Sequence, residues 1–382
     1  MIPYSCQTID EADIAAVEAV LRAPFLTQGP QIEAFEDEFA AVHRFDHAVA
    51  VCNATAALHM ACLALGVGPG DWVWTSPNSF VASANCALYC GAEVDFVDID
   101  PLTRNMSVAA LEAKLALAQS RGTLPKVVIP VDFAGLPADV QAIGDLARTY
   151  GFRIVEDASH AVGAQTLGQP VGHFADIAVF SFHAVKIITT AEGGLCATND
   201  PELAARLRLL RSHGITRDPT LMSRPSEGPW YYEQLSLGYN FRMTDIQAAL
   251  GRSQLKRLDQ LQAAREDQAR RYDDLLVDLP LRLPPRRDGS SSAHHLYAVE
   301  LSANDGAGRR KEVFEGLRSA GIGVNVHYIP IHLQPHYRSL GFAEGDFPSA
   351  EDYYSRAISL PLFPRMTEEQ QTIVADALRG LL

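Results

Sequence analysis

The stretch Asp176-Ile177-Ala178-Val179-Phe180-Ser181-Phe182-His183-Ala184-Val185-Lys186-Ile187-Ile188-Thr189-Thr190-Ala191-Glu192-Gly193-Gly194 sets a lone lysine just beyond an apolar run. Residues 177–180 are β-branched and aromatic, which reads as a buried strand. Lys186 follows among apolar and small residues, far from any charge run. A charged ammonium is costly to bury there, so the pKa of such a lysine falls and its amine becomes nucleophilic toward carbonyl compounds. An unselected lysine is far more often a surface residue with its head in water. The case for Lys186 therefore rests on its company.

The first partner is Phe152-Arg153-Ile154-Val155-Glu156-Asp157-Ala158-Ser159-His160, a short strand that ends in an acid, then small residues, then a histidine. Ligand crevices in parallel sheets lie at the carboxyl ends of strands, where Asp157 falls. An aspartate facing a pyridine nitrogen keeps it protonated and turns the ring into an electron sink, as a pyridoxal phosphate site requires. Asp157 alone is as well explained as a helix N-cap. Asp157 and Lys186 together, each at a strand end, favour the cofactor.

The surroundings predict the fold class. Strand patterns at residues 48–51, 72–75, 93–99, 127–131, 154–156, 177–180 and 195–198 are separated by helical patterns, among them 54–65, 111–118, 139–150 and 201–211. Such alternation means an α/β protein with a mostly parallel sheet covered by helices. Residues 9–22 read as an amphipathic helix with Ile14, Val17 and Leu21 on its apolar face. One helix from residue 244 to about 279 is long enough, at ~1.5 Å per residue, to link two domains. The division expected is a large domain over 1–243 and, beyond it, the linking helix with a smaller α+β domain over 244–382. In the smaller domain, strands at 296–301 and 323–328 flank a helix at 309–320. The polar stretch from His213 through Pro229 is the longest without periodicity, and long loops of this kind are often functional lids.

The 382 residues are 47% hydrophobic and 20% charged, the balance of a soluble globular protein large enough for a substantial core. A net charge of -14 argues against binding nucleic acid or anionic membranes. No stretch approaches the ~20 apolar residues of a membrane span. The N-terminal residues lack the basic and apolar regions of a secretion signal. Cys6, Cys52, Cys62, Cys86, Cys90 and Cys196 form no Cys-x-x-Cys pair and lie mostly in apolar runs, so free thiols in a reducing cytoplasm are expected. His327, His332 and His336 have no carboxylate or cysteine cluster beside them, and Pro335 interrupts any helix that would align them, so no metal site is expected.

With Ser181–Gly194, the segment Gly238-Tyr239-Asn240-Phe241-Arg242-Met243-Thr244-Asp245 completes a pattern that resembles the DegT family of sugar-nucleotide aminotransferases. These are pyridoxal-phosphate enzymes of aspartate-aminotransferase fold. The resemblance runs from Tyr4 almost to the C-terminus and is closest to the branch serving the pseudaminic-acid pathway, although Ile187 stands where that branch carries proline. It implies that Lys186 holds the cofactor and shuttles protons, and that Asp157 faces the ring nitrogen. Ala54, Thr55 and Ser181 would hold the phosphate, with Phe80 and His160 on opposite faces of the ring. Asn240 would reach the phosphate of the other subunit in a homodimer with shared active sites. Tyr4, the loop Leu26-Thr27-Gln28-Gly29 and the segment Asn325-Val326-His327-Tyr328 would contact substrate. The implied reactants are L-glutamate and a UDP-linked 2-acetamido-4-keto-6-deoxy hexose. A sibling activity on a 4-keto pentose or a GDP-linked 4-keto hexose is the alternative, and a non-catalytic pyridoxal-binding regulator is the rival of another class. Read from the residues alone, Asn53-Ala54-Thr55 is an ordinary helix start, Phe80 a core residue and Asn240 a turn residue.

Overall fold

Short β-branched runs build the centre of the molecule. In the computed structural model, which describes residues 1–302 and 306–382, β1 (His47–Val51), β2 (Trp72–Thr75), β3 (Glu93–Phe96), β4 (Val127–Ile129), β5 (Arg153–Asp157), β6 (Ile177–Ser181) and β7 (Gly194–Thr198) form one sheet. Its order is β1-β7-β6-β5-β4-β2-β3. All neighbours pair in parallel except those of β7, which runs antiparallel to both β1 and β6. The central strands are buried on both faces, as the near-continuous apolar composition of β4 and β6 requires.

Helices α1 (Glu11–Leu21), α2 (Pro30–His43), α3 (Ala54–Ala64), α4 (Ala82–Tyr89), α5 (Val108–Arg121), α6 (Val140–Tyr150) and α7 (Pro201–Arg211) complete this part of the chain. Local chemistry sets their ends. Asn53, Ser107, Asp139 and Asp200 each accept a backbone N–H from the first turn of α3, α5, α6 and α7, while Gly122 and Gly151 close α5 and α6 in the left-handed conformation. One apolar cluster packs α3 and α4 against the sheet, and another gathers Phe35, Phe39, Phe180 and Phe182.

The rest of the chain holds α8 (Asp245–Leu255), α9 (Leu258–Leu276), α10 (Gly306–Ser319), α11 (Pro335–Arg338), α12 (Pro348–Arg356) and α13 (Glu368–Leu381). A second sheet, in the order β8 (Leu281–Arg282), β9 (Tyr297–Leu301), β10 (Ala357–Leu360), is antiparallel. Its core joins Tyr272, Tyr297, Val299, Val313, Leu317, Ile358 and Leu378, and takes in Ile2 from the other end of the chain. No helix among the described residues is long and apolar enough to cross a membrane.

Three sequence expectations change. The helix expected over 244–279 is broken at Lys256–Arg257 into α8 and α9. The Arg257 guanidinium is held there by Asp10 at 2.9 Å, Asp13 at 2.5 Å and the Thr8 carbonyl at 3.2 Å, so α8 packs with α1 and α2. These partners lie over 240 residues away in sequence, and no glycine or proline marks the break. In α1, the expected apolar face is turned outward, with Ile14 51% and Leu21 58% exposed. Asp13 faces α8 instead, where Gln254 and Arg257 converge on its carboxylate. Residues 323–328 form no strand: Asn325 makes a single bridge to Ser359, and Gly323 donates its N–H to Ile2. The small sheet takes β10 as its third strand, which frees this segment to turn inward.

A buried ion cluster ties the two sheets together. Arg104, in the left-handed conformation (φ 67°) between β3 and α5, donates to Glu300 at 2.9 Å and to the carbonyls of Ala298 and Leu283. Arg356 of α12 reaches the other oxygen of Glu300 at 3.1 Å. All three side chains are almost wholly enclosed; Arg356 also pairs with Asp352, so removing the Glu300 carboxylate would leave the Arg104 guanidinium buried with only backbone carbonyls as partners. Glu300→Ala is expected to destabilise the protein by about 3–5 kcal/mol in chemical denaturation. A loss below about 1 kcal/mol would mean that the guanidinium groups regain water.

Candidate active site

Loops following the carboxyl ends of β1, β2, β4, β5 and β6 converge on a cavity of 710 Å³, within the size range of small-molecule sites. The loop between β6 and β7 delivers Lys186. It is fastened to Phe182, whose carbonyl accepts from the Thr190 N–H at 2.9 Å and the Thr189 hydroxyl at 3.2 Å. Ile187 and Ile188 bury their side chains beneath it. The loop closes on two glycines for a steric reason. A Cβ on Gly193 would lie 2.1 Å from the Thr190 hydroxyl, and one on Gly194 would lie 2.5 Å from the Ala54 nitrogen.

Lys186 keeps a partly accessible side chain because the cavity opens above it, yet protein surrounds it. That desolvation pushes its ammonium down to about 8, while the Asp157 carboxylate works in the opposite direction. Burial likewise holds His160 and His295 well below the ordinary imidazole value and His327 at about 4, and the Lys186 charge adds to the effect in each case. These three imidazoles are therefore neutral at physiological pH. Asp157, at the end of β5, accepts from the Ser83 hydroxyl at 2.7 Å and from the Ser159 N–H at 3.2 Å.

At the other end of the cavity, Asn53 caps α3 by accepting from the Ala56 N–H at 2.9 Å. Ala54 and Thr55 are left with the free N–H groups of a helix start, and Ser181 lines the same cavity. Phe80 is 58% exposed, its ring 6.4 Å from that of Tyr328. Tyr328 in turn meets His160 Nε2 through its hydroxyl at 3.1 Å. Tyr4 lies 3.4 Å from His327 Nε2, and His327 Nδ1 lies 2.8 Å from the Ser359 hydroxyl. Asn325 and Val326 complete that wall.

These residues fit pyridoxal phosphate. A lysine amine of lowered pKa and a carboxylate line the same cavity, and an anion cradle sits where a β-carbon on Gly194 would collide with the start of α3. The structure thus gathers Tyr4, Ala54, Thr55, Phe80, Asp157, His160, Ser181, Lys186, Asn325, Val326, His327 and Tyr328 around one cavity.

It sets the remaining candidates elsewhere. Leu26, Thr27, Gln28, Gly29 and Asn240 do not line that cavity. They share an outer arm instead: Thr27 bridges Thr244, the Gly29 N–H donates to Asp245 at 2.8 Å, and exposed Asn240 bridges Ser212. His332, weighed in the sequence as a possible ligand, lies 2.8 Å from Glu351.

His295 and Ser83 are among the cavity residues that the sequence did not single out. His295 packs 4.4 Å from His160 on the cavity wall, delivered by the Ala134-Gly135 turn, whose carbonyls accept from the His295 and Ala293 N–H groups. Gly135 has φ 98°, and a Cβ on it would sit 2.9 Å from the His294 nitrogen. Nothing in the sequence singles out this histidine. Ser83 stands four residues after Ser79 at the start of α4, and that spacing is the signal that could have found it.

Residues 7–379 match the DegT/DnrJ/EryC1/StrS aminotransferase family. The spore coat polysaccharide biosynthesis protein SpsC of Bacillus subtilis is 40% identical, over 100% of this chain and 97% of its own. The Helicobacter pylori aminotransferase PseC, involved in the biosynthesis of pseudoaminic acid, superposes with a TM-score of 0.91 at 34% identity, covering 100% of this chain and 98% of its own. Spr1654 of Streptococcus pneumoniae, in its PMP form, superposes with a TM-score of 0.92 at 31% identity, covering 100% and 99%; its PLP form matches as well.

A lysine whose pKa is about 8 makes a specific prediction for the protein stripped of cofactor. Only the neutral amine attacks a carbonyl, so the rate of recombination with pyridoxal phosphate should rise about tenfold per pH unit below 8 and level off above it. Stopped-flow absorbance would follow it. A rate still climbing past pH 10 would show an ordinary, solvated lysine; borohydride should separately fix the cofactor to the Lys186 peptide, and labelling of another lysine would overturn that assignment.

Proposed function

The chain belongs to the DegT/DnrJ/EryC1/StrS aminotransferase family, pyridoxal-phosphate-dependent enzymes that act on nucleotide-sugar ketones with glutamate, and from that premise we propose that it moves the amino group of L-glutamate to C4 of a UDP-linked 2-acetamido-4-keto-6-deoxy hexose. The product is the L-altro 4-amine of the pseudaminic-acid route. The observation that carries the reading is the placement of Lys186, with its lowered pKa, in the same cavity as Asp157 and the segment Asn325–Tyr328.

Pyridoxal phosphate, when bound, supplies the carbonyl that takes up the amine and a ring that delocalises the electron pair left at the donor α-carbon. The protein supplies the rest. Asp157, held by Ser83 and Ser159, keeps a proton on the ring nitrogen. With the cofactor bound, the Lys186 amine, its pKa lowered to about 8, would take the α-proton of the donor onto its own nitrogen, and the same side chain would give a proton back at C4 of the sugar in the reverse direction. His160, His295 and His327 stay neutral, so they offer hydrogen bonds without adding charge against Lys186. Ala54, Thr55 and Ser181 receive the phosphate. Tyr4, Asn325, Val326, His327 and Tyr328 form the wall against which the sugar rests.

The likeness to PseC and the run His183–Gly194 support this acceptor. A second reading draws on the higher identity with SpsC and gives a different nucleotide-linked keto sugar as substrate, destined for a surface polysaccharide. Incubation with glutamate and a panel of UDP-, GDP- and dTDP-linked 4-keto sugars, read by mass, separates the two. Fastest turnover of the UDP-linked acetamido hexose is expected. A faster GDP sugar or 4-keto pentose would overturn the acceptor and leave the family intact.

The enzyme works as a homodimer with shared sites. No arginine lines the cavity among the described residues, although its occupants are anionic, and the arm bearing Asn240 and Arg242 lies outside the cavity of its own chain. Leu237, Trp230 and Tyr232 beside it are 79%, 71% and 51% exposed, an apolar surface suited to a second copy. Co-expressed Lys186→Ala and Asn240→Asp chains should recover about a quarter of wild-type activity, because half of randomly assorted dimers are mixed and each of those has one intact site. Verified mixed dimers without activity would place Asn240 in the site of its own chain or in none.

A further inference from the structure

We propose that Ser83 is a positioning residue for Asp157, the inner link of a one-way hydrogen-bond chain Ser79→Ser83→Asp157 that turns the Ser79 hydroxyl into an acceptor on the cavity wall. The inference rests on the reading of Asp157 as the carboxylate facing the cofactor ring nitrogen.

The geometry fixes both links. The Ser83 hydroxyl lies 2.7 Å from Asp157 Oδ2, and the Ser79 hydroxyl lies 2.7 Å from that of Ser83. Ser83 is 1% exposed, Ser79 4% and Asp157 4%, so water does not compete for these bonds. A hydroxyl carries one proton, and an ionised carboxylate carries none. The Ser83 proton is therefore committed to Asp157, and the bond between the two serines must be donated by Ser79. Both Ser79 and Ser83 line the same cavity as Asp157. With its proton spent, the Ser79 oxygen offers only lone pairs, and an occupant group meeting it there must bring an N–H or O–H.

The chain stands on a rigid support. Ser83 lies on the first turn of α4, whose rotation is pinned by the Tyr337 hydroxyl donating to Asn85 at 2.6 Å. The stretch before α4 is held as well, the Pro77 carbonyl accepting from the Ile331 N–H at 2.9 Å. The Asp157 carboxylate is thus gripped from two sides, Ser83 on Oδ2 and the Ser159 N–H on Oδ1. Gripping both oxygens fixes the plane of the carboxylate, which a ligand contact with one direction of approach requires. Without Ser83, one buried oxygen loses a charge-assisted bond and the group is free to turn about its Cβ–Cγ axis.

The test uses the holoenzyme and two readouts, kcat against KM, and the midpoint of the pH titration of the bound cofactor's visible absorbance. Ser83→Ala should move that midpoint in the same direction as Asp157→Asn, though less far. It should lower kcat about tenfold, the weight of one hydrogen bond to a charged group, with the KM for glutamate close to wild type. Ser83→Thr, which keeps the hydroxyl, should restore both. Ser79→Ala leaves the inner bond in place and should leave the midpoint near its wild-type value. Ser83→Cys, similar in shape and a weak donor, repeats the test if the alanine variant folds poorly.

Equal losses in the alanine and threonine variants would overturn the proposal by showing that packing, not the hydroxyl, matters. An unmoved midpoint and kcat in well-folded Ser83→Ala would overturn it outright, provided that Asp157→Asn does shift the midpoint. If Asp157→Asn leaves the midpoint in place, the role given to Asp157 fails, and the chain acting through it fails with it.

Discussion

Enclosing one amine is the constraint on which the rest of the site depends. Desolvation alone would drive the Lys186 ammonium far down, and the Asp157 charge alone would hold it up; their opposition leaves it at about 8. The surroundings are consistent with one cation in this space and no more. His160, His295 and His327 all lie close enough to feel Lys186, and burial with its charge keeps every one of them neutral. A second positive charge in so small a volume would drive proton loss from the lysine or from its neighbour. Apart from the carboxylates of Asp157 and Glu192, the polar wall is built from tyrosine hydroxyls, imidazoles, serines and amides, groups that orient a ligand without adding positive charge.

Close backbone approach brings these groups together. β7 returns antiparallel between β1 and β6, and that reversal sets Gly194 against the first residues of α3. The lysine loop and the anion cradle are thereby fixed to one another through main chain. Gly135 does the same on the opposite wall, where the Ala134-Gly135 turn grips residues 293–296 and presents His295 beside His160. Where a side chain would collide, only glycine serves, and each of these glycines sits at a junction between segments far apart in sequence.

The inward turn of residues 323–328 joins the C-terminal part of the chain to this chemistry. Its backbone is tied to Ile2 and Ser359, and the Tyr353 hydroxyl donates to the His327 carbonyl at 3.0 Å. Tyr4 approaches His327 from the N-terminal strand of chain that Ile2 anchors. The N-terminal residues and the 323–328 segment therefore meet over one wall, and the buried cluster of Arg104, Glu300 and Arg356 ties the small sheet to the large one.

Residue pattern by itself determined the alternating strands, the mostly parallel character of the sheet, the position of Asp157 at a strand end and that of Lys186 in the loop after a strand. These are local properties: hydrophobic periodicity, caps and turn residues act over a few neighbours. The resemblance carried by Ser181–Gly194 and Gly238–Asp245 supplied the family and the cofactor, which periodicity could not. Only the tertiary structure decided the break at Lys256–Arg257, because the carboxylates of Asp10 and Asp13 that hold Arg257 arrive from the other end of the chain. It also turned α1 so that Asp13, rather than Ile14, faces inward, a case of ion pairing outweighing apolar periodicity. His295 became visible only when residues 293–296 were folded against the Ala134-Gly135 turn, and the role of Ser83 only when α4 was set beside the end of β5. The Ser79–Ser83 spacing is local, but the 2.7 Å bond from Ser83 to Asp157 joins residues 74 apart, and that link depends on positions in space.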